Sequence, residues 1–155
     1  MSTNTRTEAE TTLDSTPTLP AWQAGVAGGL VGSLAFGAMM AMMSPMMLTE
    51  MIPGMYGLEG GLAGWIVHMS HGAVIGVAFA ALASAGPLRE YTGTTGGAAV
   101  AGLVYGIAVW ASLAVIVMPI WLGMPEMVPN LDTGSLVGHS LYGVILGIVY
   151  GALAR

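Results

Sequence analysis

The chain has 155 residues, of which 55% are hydrophobic and only 7% charged, with a formal net charge of −5, whereas soluble domains carry roughly 25% charged residues. Three arginines, no lysine and eight acids cannot cover a soluble surface of this size, and no basic patch exists to neutralise phosphates, which argues against nucleic acid as a partner. The absence of cysteine removes disulfides, thiolate metal sites and thiol nucleophiles.

The chain opens on an acidic, Thr-rich stretch, Ser2 to Asp14, and residues 1–20 are expected to form a disordered cytoplasmic tail. The tail has one arginine and no short apolar core beside a basic region, so it does not read as a cleaved signal peptide. Zero lysine with an acidic tail resembles the composition of salt-adapted proteins and suggests a halophilic prokaryote. Beyond the tail, Ser15 to Thr49, Gly60 to Leu88, Tyr91 to Pro125 and Thr133 to Ala154 carry no charge. Each contains the roughly 20 apolar residues a helix needs to cross a hydrocarbon layer about 30 Å thick. Helices are the expected form, because long apolar runs without alternation do not suit a barrel.

The first span is expected near Trp22–Met43 and contains "VAGGLVG" from Val26; Pro45 closes it, and the loop that follows reads "EMIPG" from Glu50. The second span, near Leu62–Ala85, contains "VHMSHGAVIG" from Val67 and ends at Gly86-Pro87. The third, near Gly97–Met118, contains "VAGLVYG" from Val100, is followed by Pro119, and leads to "EMVPN" from Glu126. The fourth lies near Ser135–Ala154. With the N-terminus inside, Arg6, Arg89 and Arg155 all fall on the cytoplasmic side, while the outer loops hold Glu50, Glu59, Glu126 and Asp132 and no base. The positive-inside rule therefore favours N-in, C-in. Trp65 and Trp121 then lie near the outer interface, and Trp22 and Tyr91 near the inner one.

The two halves correspond in order. The glycine motifs of spans one and three match, as do the two Glu-Met-x-Pro loops. His68, Gly72 and Gly76 in span two match His139, Gly143 and Gly147 in span four. The expected fold is an all-α membrane protein of four transmembrane helices built as two tandem two-helix repeats, about 22–85 and about 97–154, within a domain spanning residues 21–155. A pseudo-two-fold axis would run along the membrane normal.

The repeat separates the histidines, since the position matching His71 holds Tyr142. Gly72 and Gly76 share a face with His68, and Gly143 and Gly147 with His139, as in small-residue seams for close helix contact. If spans two and four face each other, the two imidazoles approach. Each then either hydrogen-bonds a neighbouring helix as a buried polar group does, or serves a ligand or proton. His71 leans to the structural role, though it can join His68 at i, i+3. A symmetric cluster of His68, His139, Glu50 and Glu126, which His71 can join, is the candidate metal or proton site, with turn formation around Pro53 and Pro129 as the structural explanation for the two loops. Apart from Met1, all twelve methionines lie in the outer halves of spans or in the outer loops. Thioethers with imidazoles suit Cu(I), but methionine also serves as flexible apolar filler.

The motifs "GWIVH", Gly64 to His68, and "HSLYGVILGIVYG", His139 to Gly151, resemble those of small four-span prokaryotic membrane proteins, haloarchaeal in character. The resemblance covers about Trp22 to Ala154; it implies a four-helix membrane domain in the cell membrane and carries over no activity. The chain has no G-x-x-x-x-G-K-[ST], H-E-x-x-H or G-x-S-x-G motif. The leading expectation is a non-enzymatic structural or accessory membrane subunit, surrounded by lipid and open to a homo-oligomer or membrane complex. One alternative is a haem- or copper-binding redox partner, with haem b held between His68 and His139. The other is a small ion or metal transporter module.

Overall fold

A computed structural model describes residues 19–154 of the chain. Nearly all of the expected tail lies outside the described residues, as do Arg6 and Arg155. Four helices are long and apolar enough to cross a membrane: α1 (Ala21–Met43), α2 (Gly61–Ala83), α4 (Thr95–Trp121) and α5 (Thr133–Leu153). A short helix, α3 (Leu88–Thr92), links α2 to α4. No strand occurs among the described residues. Large apolar side chains such as Leu62, Val74 and Val104 stand well exposed on the outer faces, as a multi-pass protein bathed in lipid requires and a soluble surface does not.

Local chemistry sets the helix ends. Thr94 caps α4 by accepting from the Gly97 N–H at 3.0 Å, and Asp132 caps α5 by accepting from the Ser135 N–H at 2.6 Å; each satisfies a donor that the first turn leaves open. Helix α4 is longer than hydropathy alone suggests, because it continues through a π-helical stretch, Trp110–Val117, into a last turn, Met118–Trp121. Pro119 has no N–H to offer the Val115 carbonyl, and the Asn130 N–H takes it at 3.1 Å. The loop after α1 uses the same device. Pro53 cannot serve the Thr49 carbonyl, and the Gly60 N–H does so at 3.0 Å. That loop folds back as a π turn, Met47–Met51, running into Ile52–Gly54.

Helix α1 lies between α2 and α5, and α4 packs on α5 and, more sparsely, on α2. Two offset glycine pairs allow α1 this central place. Gly25 and Gly29 meet Gly76 and Gly72 of α2; Gly28 and Gly32 meet the main chain of Leu146 and Tyr142 of α5. Between α4 and α5, Gly102 and Gly106 meet Gly143, Gly147 and the His139 carbonyl. The glycine seams beneath His68 and His139 therefore do not face each other. Each packs its helix against the helix that precedes it in the chain, because only there does an opposing row of glycines allow backbone-to-backbone approach.

Candidate functional site

His68 lies seven residues into α2 and His139 six into α5, so each is about 10 Å from the helix start at 1.5 Å per residue. Both are thus near the Met-rich end of the bundle. The seam brings α2 close enough to α1 for His68 Nε2 to reach the Ser33 carbonyl at 2.9 Å. A carbonyl can only accept, so that nitrogen carries the proton and Nδ1 does not in the neutral ring. His139 Nδ1 donates to the Ser135 carbonyl of its own helix at 2.8 Å, leaving Nε2 as the unprotonated nitrogen. Neither His68 Nδ1 nor His139 Nε2 has a protein partner among the described residues.

One ring joins the two histidines. Phe36 of α1 packs edgewise on His68, with centroids 5.5 Å apart, and on His139 at 4.9 Å. Its place in α5 is made by Gly138, where an added Cβ would fall on the phenyl ring. Trp65 closes the far side of His68 at 6.2 Å and itself fits over Gly37. A macrocycle bridging the two imidazoles would meet the Phe36 ring. Ser33 Oγ is buried in the same seam without a hydrogen-bond partner among the described residues.

His71 belongs to a different neighbourhood. Its Nε2 is 2.7 Å from the Tyr56 hydroxyl, and Tyr56 also stacks at 5.3 Å on Trp121, so the contact ties the first loop to α2 and the end of α4. Glu50 and Glu126 are exposed in their loops. Among the described residues no three His, Cys, Asp or Glu side chains come together as a metal-holding group. The structure thus brings His68 and His139 to one phenyl ring and leaves His71, Glu50 and Glu126 elsewhere.

Three tyrosines extend the polar network between the helix pairs. Tyr142 of α5 passes over Gly32 and donates to the Gly72 carbonyl of α2 at 2.8 Å. Tyr105 of α4 donates to the Ile75 carbonyl of α2 at 2.9 Å. Tyr150 of α5 adds a 3.1 Å contact to Ser84. In the sequence Tyr142 stands out only as the residue where His71 has no partner, and Phe36, Ser33 and Tyr105 do not stand out as site residues. The spacing of Tyr142 and Tyr150 among the α5 glycines was the available signal, because a hydroxyl on a helix face otherwise lined with small residues must find an acceptor in the bundle. No protein-family model, curated protein or solved structure matches the chain.

Proposed function

We propose that the protein is a non-enzymatic, multi-pass membrane subunit whose interior polar side chains hold its helices together rather than handle a substrate. The observation that carries this reading is that both imidazoles, His68 buried and His139 half-buried, give a ring N–H to a main-chain carbonyl, that of His68 across the α1–α2 seam. The tyrosine bonds to Gly72 and Ile75 support it. We read the chain further as two tandem helix pairs with both termini in the cytoplasm. The arginine distribution supports the orientation. The two intra-pair glycine seams, α1 with α2 and α4 with α5, support the duplication.

A second reading is kept for one reason. His68 Nδ1 and His139 Nε2 carry no protein hydrogen bond among the described residues, and the two imidazoles share contact with a single phenyl ring, so rotation of Phe36 would free space beside two lone pairs suited to a soft metal or a haem iron. Protein purified from cells supplied with copper and a haem precursor separates the two. The structural reading expects no Soret band and no stoichiometric copper. A cofactor present in the wild type and in His71→Ala, but lost in both His68→Ala and His139→Ala, would overturn it.

A further inference from the structure

We propose that the cleft between α2 and α4, at the end of the bundle that carries Arg89, holds the hydrocarbon tail of a single anionic phospholipid whose phosphate rests on Arg89.

The cleft follows from how the four helices close. Glycines bring α1 onto α5 until backbones touch. The facing pair α2 and α4 has no such seam. The two are pinned where Tyr105 reaches the Ile75 carbonyl and stacks on Phe79 at 5.3 Å. Towards Arg89 they part, leaving a cavity of about 560 Å³ walled by Phe79 and Ala83 of α2, Leu88 and Tyr91 of α3, and Val100 and Val104 of α4. Thr92 also lines it, but its hydroxyl is already bonded to the Ala83 carbonyl at 2.9 Å. The walls are therefore almost wholly apolar.

Dimensions and position favour a lipid tail. Along α4 the lining runs from Gly96 to Ala108, about 18 Å at 1.5 Å per residue. This is close to the depth of one leaflet of a hydrocarbon layer about 30 Å thick. An apolar space of this kind does not hold water, and it opens sideways where lipid is the solvent.

The mouth supplies the headgroup contact. On α3, Leu88, Tyr91 and Thr92 line the cleft, which is the i, i+3, i+4 face of one turn. At about 100° per residue, Arg89 flanks that face and Glu90 points to the opposite side. Arg89 is the one cationic side chain among the described residues, and it is exposed. A guanidinium at this level can run its stem along the apolar rim and bind a phosphate with two parallel N–H donors.

The test measures phospholipid retained after exhaustive detergent washing of protein exchanged into vesicles of mixed phosphatidylglycerol and phosphatidylcholine. Native mass spectrometry and total phosphorus should show one phospholipid per chain, enriched in phosphatidylglycerol. Gly96→Leu combined with Val104→Trp fills the cleft; a Cβ at Gly96 meets open space and Val104 is exposed. Retention should then fall to background, while Val74→Trp on the outward face of α2 should leave it unchanged. Should the double variant fail to fold, Ala108→Phe at the deep end carries the same test. Arg89→Gln should keep a lipid but lose the preference for phosphatidylglycerol. A wild type that retains no more phospholipid than the filled variant would overturn the proposal. So would a lipid-free dimer that the filling substitutions split, since the occupant would then be a second copy, and so would unchanged headgroup preference in Arg89→Gln.

Discussion

Ser33 is the residue on which two opposite demands meet. Its carbonyl anchors His68, while its buried hydroxyl, on a residue only 1% exposed, has no partner among the described residues and lies where a Cβ on Gly72 would sit. An unpaired buried hydroxyl costs free energy, and removing it need not disturb the carbonyl. Ser33→Ala is therefore expected to leave thermal stability in detergent unchanged or to raise it. Gly72→Ala should lower it sharply, because the new methyl has only backbone and Ser33 to displace. Tyr142→Phe removes one donor to the Gly72 carbonyl and should cost about 0.6 kcal/mol and no more than about 1.7, the average and the maximum found for hydrogen bonds between membrane helices. Unchanged stability in Tyr142→Phe by denaturant titration would show that the carbonyl finds another donor. His68 and His139 were visible in the sequence because ionisable groups in apolar helices stand out. Phe36 was not, since one more aromatic residue in an apolar run gives no periodic signal. Its site is marked only by the absence of a side chain at Gly138, on a helix about a hundred residues away.

The elements were the most legible level. Uncharged runs of sufficient length located all four helices that are long and apolar enough to cross a membrane, and the observed α1 begins and ends within one residue of the expected span. The largest difference is in α4, which hydropathy placed near Gly97–Met118 and which extends over Thr95–Trp121. Its start was readable from Thr94 as a cap. Its continuation past Pro119 was not, because the Asn130 N–H that relieves the broken ladder comes from beyond the following loop. Glycine spacing showed that seams exist, but not which helices they join: an i, i+4 pair fits any opposing row of small residues. The two offset pairs in α1, Gly25/Gly29 and Gly28/Gly32, were the overlooked clue, since a helix needs two small faces only if it is packed on two sides. The joints should fail separately. Gly102→Leu is expected to detach α4 from α5, and Gly28→Leu to open the α1–α5 contact. Each should appear as a lowered melting midpoint, with the double variant losing monodisperse folded protein. If Gly28→Leu melts like the wild type, α1 and α5 do not pack as described.

For the whole molecule, orientation rests on three arginines and helix arrangement on contacts that no single stretch of sequence contains. The cysteine-free chain allows a direct check of orientation. Cysteines placed singly at the exposed Glu59, Glu126 and Glu90 should react with an impermeant thiol reagent applied outside intact cells at the first two positions only. Labelling of Glu90→Cys from outside would invert the topology and move the Arg89 mouth to the opposite leaflet.

The tyrosines that reach from α4 and α5 to the carbonyls of α2 also imply that continuity of the chain between the helix pairs is dispensable. Each pair carries its own glycine interface, and the pairs recognise each other through the α1–α5 joint and the Tyr105, Tyr142 and Tyr150 bonds, none of which needs a covalent bond between residues 84 and 94. Two polypeptides ending and beginning at residue 90, co-expressed with a tag on the first alone, should assemble in the membrane and purify as a one-to-one complex. Replacing all three tyrosines with phenylalanine should weaken that complementation while leaving each fragment inserted. The gene for such a protein is then expected to tolerate being broken in the middle, with halves that remain specific for one another.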